Sequence, residues 1–416
     1  MRGAVLAVGT ELLLGDVINS NAAWLGKQLA AAGVEVVASA AVGDDLDRLV
    51  AALHHHLGDA DLVLLSGGLG PTIDDLTRDA VAVACDAPLV RSPELEERLR
   101  GQFASYGMKM PADVLRQADV PTGAEVLTNP VGTAPGLWLA YGGKLVIALP
   151  GPPHELRAVA EPVWPRLAER SGRVVTTRQV LVAGIGESSV AERIEAAVSL
   201  PPGVSLSYLA GGAVVRVRFT TAGDPAVLLP LVATADEVLG EHVWGHDDET
   251  LDGVVHELLG ARGHTVATAE SLSGGLLGAQ LSSRPGSSKT FRGGAVVYAT
   301  DLKATLAGVP AEVLAAHGAV APETAAAMAA GVRDRLAADW GVALTGVAGP
   351  DEQEGHPVGT VFVAVAGPQG SQVQSLRLPG DRDRVRMLAV TLALDLLRRC
   401  LLEQSSRSAH REPESR

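Results

Sequence analysis

The run D-L-V-L-L (61–65) is followed at once by S-G-G-L-G-P-T and then by a helical pattern beginning near Asp74. A short, continuously apolar segment that ends in a glycine-rich turn and opens a helix constrains a fold strongly. It reads as a buried strand of a parallel or mixed sheet, with small residues where the chain must turn sharply. The same grammar covers the first 165 residues. A-V-L-A-V (4–8) is a strand, 21–32 a helix, V-E-V-V-A-S-A (34–40) a strand and 44–57 a helix. K-L-V-I-A-L (144–149) is a strand that stops at P-G-P-P, with a helix resuming near His154.

From about 172 to 245 the texture changes. R-V-V-T-T-R-Q-V-L-V and A-V-V-R-V-R-F-T alternate as strands do, with a helical stretch at 187–198 between them, which predicts a small α+β module. The polar H-D-D-E-T (246–250) reads as a hinge. A third α/β unit follows over 250–403, with a helix at 251–261, strands at 265–269, 341–345 and 358–366, and a final helix over 381–402. The polar residues 404–416 read as a disordered tail. At 416 residues, two or three domains are expected. With only 4 Phe, 4 Tyr and 5 Trp, their cores must be built from Ala, Val and Leu.

A net charge of −14 argues against direct, non-specific contact with nucleic acid or anionic membranes. The two cysteines, Cys85 and Cys400, have no ligand-like neighbours, so neither a disulfide framework nor a zinc site is expected. Without a charged leader or an uninterrupted apolar run long enough to span a bilayer, the expected location is the cytoplasm.

The chemically suggestive segment is G-S-S-K-T-F-R-G-G-A-V-V-Y-A-T-D-L-K (286–303). Serine is a poor nucleophile until a base takes its proton, and a desolvated lysine can be that base. A turn, a strand and the start of a helix separate Ser288 from Lys303, a path that allows them to converge. On spacing alone, a solvated Lys303 is the commoner outcome. A-E-S-L-S-G-G (269–275) adds Ser271, Ser273, Gly274 and Gly275 in a strand-to-helix turn able to present backbone N–H groups. T-G-V-A-G-P-D (345–351) brings Thr345 and Gly346, and Arg382 opens the last helix, where a cation is unfavourable unless an anion pairs with it.

These motifs, together with H-G-A-V (317–320) and P-V-G-T-V (357–361), resemble in order and spacing the C-terminal domain of the CinA family, a nicotinamide-nucleotide amidase fold. The resemblance implies hydrolysis of nicotinamide mononucleotide to nicotinate mononucleotide and ammonia, without a cofactor. Carried over by position, Ser288 is the expected nucleophile, Lys303 the base, Tyr298 and Thr345 the assisting groups, and Ser271 and Arg382 substrate contacts. Ser271 ranks second as nucleophile, since its turn could equally form an oxyanion hole. Two departures stand out: Ser273 where the family has Thr, and Ala299-Thr300 where it has Ser-Asn.

G-T-E-L-L-L-G (9–15), G-G-L-G-P-T-I-D-D-L-T (67–77), N-P-V-G-T-A-P-G (129–136) and L-P-G-P-P-H-E-L (149–156) resemble the N-terminal domain of the same family, a molybdopterin-binding-like α/β sandwich. That resemblance implies cleavage of ADP-ribose to AMP and ribose 5-phosphate with Mg²⁺ or Co²⁺. Glu11, Asp44, Gly67, Gly68, Gly70, Thr72 and Asn129 are the matched substrate contacts, and Asp74 and Asp75 the metal candidates. The bland reading of the two aspartates is helix capping. The middle module, through G-I-G-E-S (184–188), resembles the family's KH-like segment; with no basic G-x-x-G clamp it reads as a spacer or dimerisation unit rather than an RNA binder. A homodimer is implied by resemblance. The rival readings are a pterin-type binding protein and a competence or recombination accessory.

Overall fold

The computed structural model describes residues 1–105 and 107–409. The chain divides into two compact units, residues 1–176 with 221–224, and residues 177–220 with 225–416.

The first unit is built on a six-stranded sheet. Its strands are β1 (Arg2–Val8), β2 (Glu35–Val42), β3 (Leu62–Ser66), β6 (Glu125–Leu127), β7 (Gly136–Tyr141) and β8 (Lys144–Leu149), in the order β2-β1-β3-β8-β7-β6; the short β4 (Leu89–Arg91) and β5 (Asp119–Pro121) pair separately. β2, β1, β3 and β8 are parallel, while β7 runs antiparallel to both of its neighbours, β8 and β6. β3 is buried throughout because helices cover both faces, which is why its sequence is apolar without alternation. On one face the helix Leu46–Asp59 presents Leu49, Leu53 and Leu57 at four-residue spacing, and Asp45 caps it by accepting from Arg48 N at 2.9 Å. On the other, the helix Ser20–Ala31 buries Leu25 and Leu29. The helix expected near Asp74 starts at Thr77, because 70–76 is a hydrogen-bonded loop.

The second unit carries a four-stranded sheet of β9 (Thr176–Ala183), β10 (Val204–Gly211), β11 (Val214–Thr221) and β12 (Val243–His246), ordered β10-β11-β9-β12. The helices Glu187–Ala197 and Leu228–Leu239 close its core around Val190, Ile194, Phe219 and Ala235.

The remainder is a five-stranded sheet, β14-β13-β15-β16-β17, made of β13 (Val266–Glu270), β14 (Phe291–Val296), β15 (Trp340–Gly346), β16 (Thr360–Gly367) and β17 (Gly370–Arg377). β14, β13 and β15 are parallel, so Glu270, Val296 and Leu344 finish at the same sheet edge. The helices Leu251–Gly260 and Arg382–Ala409 cover one face with Val and Leu. The other face is lined by Ala267, Ala269, Ala343 and Ala364, and these small residues admit the helix Pro322–Arg335 at close range. A Cβ on Gly341 would lie 2.0 Å from Ala329 O. The last helix continues to Ala409, so residues 404–409, expected in the tail, are helical; 410–416 lie outside the described residues. Among the described residues no helix is long and apolar enough to cross a membrane.

Candidate active site at the carboxyl edge of the C-terminal sheet

Ser271 is the first residue after β13, and its amide N–H donates to Leu344 O of the neighbouring strand at 3.0 Å. The chain then turns through Gly274 and Gly275, both with positive φ (63° and 100°), into the helix Leu276–Ser282. The anchor of this turn is Glu270, a buried carboxylate absent from the expected site. It accepts from the amides of Gly275 and Leu277 at 3.0 Å and of Gly278 at 2.7 Å, which explains how a charge is accommodated at the end of a core strand.

Lys303 comes from the short helix Thr300–Thr305 that follows β14. Its side chain is 2% exposed, and Nζ donates to Ser271 Oγ and to Val297 O, both at 3.0 Å. Burial pushes its pKa below the ordinary lysine value, while the charge of Glu354 acts in the opposite direction. Glu354, also absent from the expected site, accepts from Ala319 N and Val320 N at 3.1 and 2.9 Å.

The lysine therefore meets Ser271, not Ser288. Ser288 lies on the exposed turn before β14, and the six residues of that strand span roughly 20 Å. β13 and β14 run parallel, so the serine that follows β13 and the lysine that follows β14 share an edge; the serine that precedes β14 is at the far one. Lys289 is likewise exposed and outside the site.

A small cavity of about 100 Å³ opens in front of the pair, bordered by Ser271, Leu272, Tyr298, Lys303, Gly346 and Arg382. Thr345 also borders it, but its hydroxyl donates to Ala319 O at 2.6 Å and so fixes the 317–320 turn. Arg382 donates to Gly349 O at 2.6 Å and to the Tyr298 hydroxyl. Among the described residues no carboxylate pairs with it. Ser273 is fully buried and its hydroxyl has no partner among the described residues.

In the first unit, the loops after β1, β2, β3 and β8 and the loop before β7 meet at one end of the sheet, bringing together Glu11, Asp44, Gly67, Gly68, Gly70, Thr72, Asp74, Asp75 and Asn129. Their geometry shows bracing. Asp44 accepts from Thr10 N and Thr10 Oγ1 at 2.8 Å. Glu11 folds back over Gly9, where an added Cβ would lie 2.4 Å from its carboxylate. Asn129 holds its own loop through Val131 N, Gly132 N and Ala134 O, and also donates to Glu155. Gly68 has φ 66°, and a Cβ there would strike Thr77 Oγ1 at 2.3 Å. Two further braces escaped the sequence reading. Asn21 Nδ2 donates to Ser66 Oγ and Gly151 O, and the buried Arg78 guanidinium donates to Leu69 O and Gly70 O at 2.5 and 2.7 Å.

The metal expectation does not fit these residues. Asp75 accepts from Gly70 N at 2.7 Å, Thr72 N at 2.8 Å and Thr72 Oγ1 at 2.5 Å, which leaves it a loop clamp. Asp74 is exposed. Among the described residues no cluster of three or more His, Cys, Asp or Glu side chains is placed to hold a metal ion.

Comparison with known proteins places this architecture. A CinA-like protein of Frankia casuarinae is 47% identical over 417 residues, covering 96% of each chain. The chain belongs to the CinA family. A putative competence-damage inducible protein of Symbiobacterium thermophilum is 44% identical, over 97% of this chain and 99% of that one. The model of the CinA C-terminal domain matches residues 248–401, a probable molybdopterin binding domain matches 4–169, and the damage-inducible protein CinA KH domain matches 177–245. Among solved structures, the protein CinA with unknown function from Thermoplasma acidophilum is 36% identical over 40% of this chain and 99% of that one, with a TM-score of 0.38. Ser271 and Lys303 both fall inside the CinA C-terminal match.

Proposed function

We propose that the C-terminal domain is an amidohydrolase that converts nicotinamide mononucleotide to nicotinate mononucleotide and ammonia, with Ser271 as nucleophile and Lys303 as base. The observation that carries this reading is the 3.0 Å hydrogen bond between a buried lysine amine and the hydroxyl of a strand-end serine. A lysine with a lowered pKa spends a larger share of its time neutral, and only the neutral amine can accept the serine proton. Ser271 Oγ then bonds to the carboxamide carbon while its proton passes to Lys303 Nζ. When the tetrahedral adduct collapses, Lys303 returns that proton to the departing ammonia. Water, deprotonated by the same amine, hydrolyses the resulting ester. Arg382 has no carboxylate partner among the described residues and borders the cavity, which suits it to the substrate's phosphate. The chemistry assigned here runs on side chains alone.

The test is ammonia release from nicotinamide mononucleotide with and without EDTA. Wild-type protein turns over in both, Ser271→Ala and Lys303→Ala lose at least about a thousandfold, and Ser288→Ala keeps its rate. Turnover retained in Ser271→Ala but lost in Ser288→Ala would reverse the assignment.

For the N-terminal domain the finer reading is ADP-ribose hydrolysis, supported by the ring of loops at one sheet end. The Asp75 carboxylate at this end is committed to the geometry of its own loop. Full-length Ser271→Ala protein offered ADP-ribose with Mg²⁺ or Co²⁺ releases AMP on this reading. Pterin binding without cleavage favours the binding-protein alternative. A homodimer working in the cytoplasm completes the proposal.

A further inference from the structure

The turn that carries Ser271 has its carbonyls and its amides spent unequally. Ser271 O accepts from Gly274 N at 3.1 Å. Leu272 O and Ser273 O are both taken by one side chain, Arg386 of the last helix, through Nε and Nη2 at 3.1 Å each. The amides on either side are also occupied: Ser271 N–H by Leu344 O, Gly274 N–H by Ser271 O and Gly275 N–H by Glu270. The N–H groups of Leu272 and Ser273 are different, with no acceptor among the described residues. Leu272 borders the same cavity as Ser271 and Lys303. In a planar trans peptide the N–H points opposite to the C=O. Fixing the carbonyls of residues 271 and 272 on their partners therefore fixes the amides of 272 and 273 facing away from them. Two consecutive N–H groups of the turn that carries Ser271 are thus left without an acceptor among the described residues, the first of them on a residue that borders the cavity.

We infer that the Leu272 and Ser273 amides are the oxyanion hole of Ser271, and that Arg386 is the positioning residue of this hole: through Leu272 O it sets the Ser273 amide directly, and through Ser273 O it sets the Gly274 amide whose bond to Ser271 O in turn sets the Leu272 amide. The inference rests on the Ser271–Lys303 reading but not on the identity of the substrate. When Ser271 Oγ bonds to an acyl carbon, the carbonyl π pair moves onto oxygen, and the two amides are there to receive that charge as the serine proton goes to Lys303. Arg386 does not touch the reacting atoms. Its guanidinium fork matches the two carbonyls, whereas a lysine could hold one of them.

The experiment uses the full-length protein as wild type, Arg386→Gln and Arg386→Lys. One readout is the rate at which a small fluorophosphonate modifies Ser271, followed by intact mass and peptide mapping; the other is kcat and KM for ammonia release. Losing the grip on a two-amide hole lowers the labelling rate and kcat by roughly 10- to 100-fold, somewhat less than removing a donor outright. KM stays within about twofold and the acid limb of the pH profile stays in place, since Lys303 is untouched. Arg386→Lys recovers part of the loss, which a merely destabilised fold would not explain if both variants melt alike. Wild-type labelling and turnover in Arg386→Gln, or a loss confined to KM, overturns the inference. If wild-type Ser271 is labelled but releases no ammonia from nicotinamide mononucleotide, the substrate assignment falls while the labelling rates still decide the role of Arg386. A wild-type Ser271 that resists labelling overturns both.

Discussion

A buried amine determines most of what is testable at single residues. Because burial lowers the folded-state pKa of Lys303, the native protein binds fewer protons at this site than the unfolded chain between that lowered value and the ordinary lysine value. Stability therefore rises with pH across that window, and the penalty of a buried charge is largest below it. Lys303→Met is expected to raise the melting temperature at neutral pH, with the gain shrinking toward pH ~10, while abolishing activity. A scan of melting temperature against pH for both proteins checks this; a Lys303→Met that is less stable at neutral pH counts against the desolvated lysine. The same shift places the acid limb of kcat/KM below the ordinary lysine pKa. Lys303→Arg is inactive at every pH, because a guanidinium does not give up its proton in this range. Lys303 stood out in the sequence as a residue offering chemistry, and the serine the structure brings to it is Ser271 and not the expected Ser288. Chain separation favoured Ser288, yet residues on a parallel sheet meet according to which strand end they follow. Ser271 was the better choice on that rule alone, since open α/β sheets place their chemistry beyond the carboxyl ends of the strands.

At the scale of elements, the strand-to-helix turn at 270–278 depends on one carboxylate. Glu270→Ala leaves three amides without their acceptor in a buried setting and is expected to destabilise by about 2–4 kcal/mol, measured by urea denaturation. Glu270→Gln keeps the shape and one acceptor oxygen and costs less. Gly341→Ala tests the small-residue face of the same sheet. Its Cβ would lie 2.0 Å from Ala329 O, so the helix Pro322–Arg335 has to move off β15, at a cost of roughly 2–4 kcal/mol by the same measurement. Near-native stability of Gly341→Ala would mean the helix sits farther from the strand. The parallel strands themselves were plain in the sequence, because continuous burial on both faces writes itself as continuous hydrophobicity. β6 and β17 were not: they are short or largely exposed, without a periodic signature that outweighs their polar residues. The loop 70–76 was mistaken for a helix start because Asp74 and Asp75 read as capping residues, whereas Asp75 clamps the preceding loop.

Across the whole molecule, a buried ion pair couples the middle module to the last helix. Arg398, 2% exposed, pairs with Asp395 at 2.7 Å and donates to Val243 O and Glu241 O at 3.1 and 2.6 Å. Arg398→Ala leaves the buried Asp395 carboxylate with only the more exposed Arg399, at 3.1 Å, and is expected to cost about 3–5 kcal/mol, read from a denaturation curve of the full chain; a loss under about 1 kcal/mol would mean the pair behaves as a surface one. The acidic balance carries its own expectation: no duplex DNA binding at ~150 mM salt, where a steeply salt-dependent affinity would favour the accessory role instead. What the sequence determined by itself was the class of each domain and the residues offering chemistry, because periodicity, glycine-rich turns and a lone lysine after a strand are local signals. What the tertiary structure decided was the pairing: which serine the lysine reaches, that Arg386 grips the turn after Ser271 and that Asp75 accepts from its own loop. Such contacts join positions far apart in the chain, or turn on local hydrogen-bond geometry, and neither is fixed by residue type and spacing until the strands have a direction and an order.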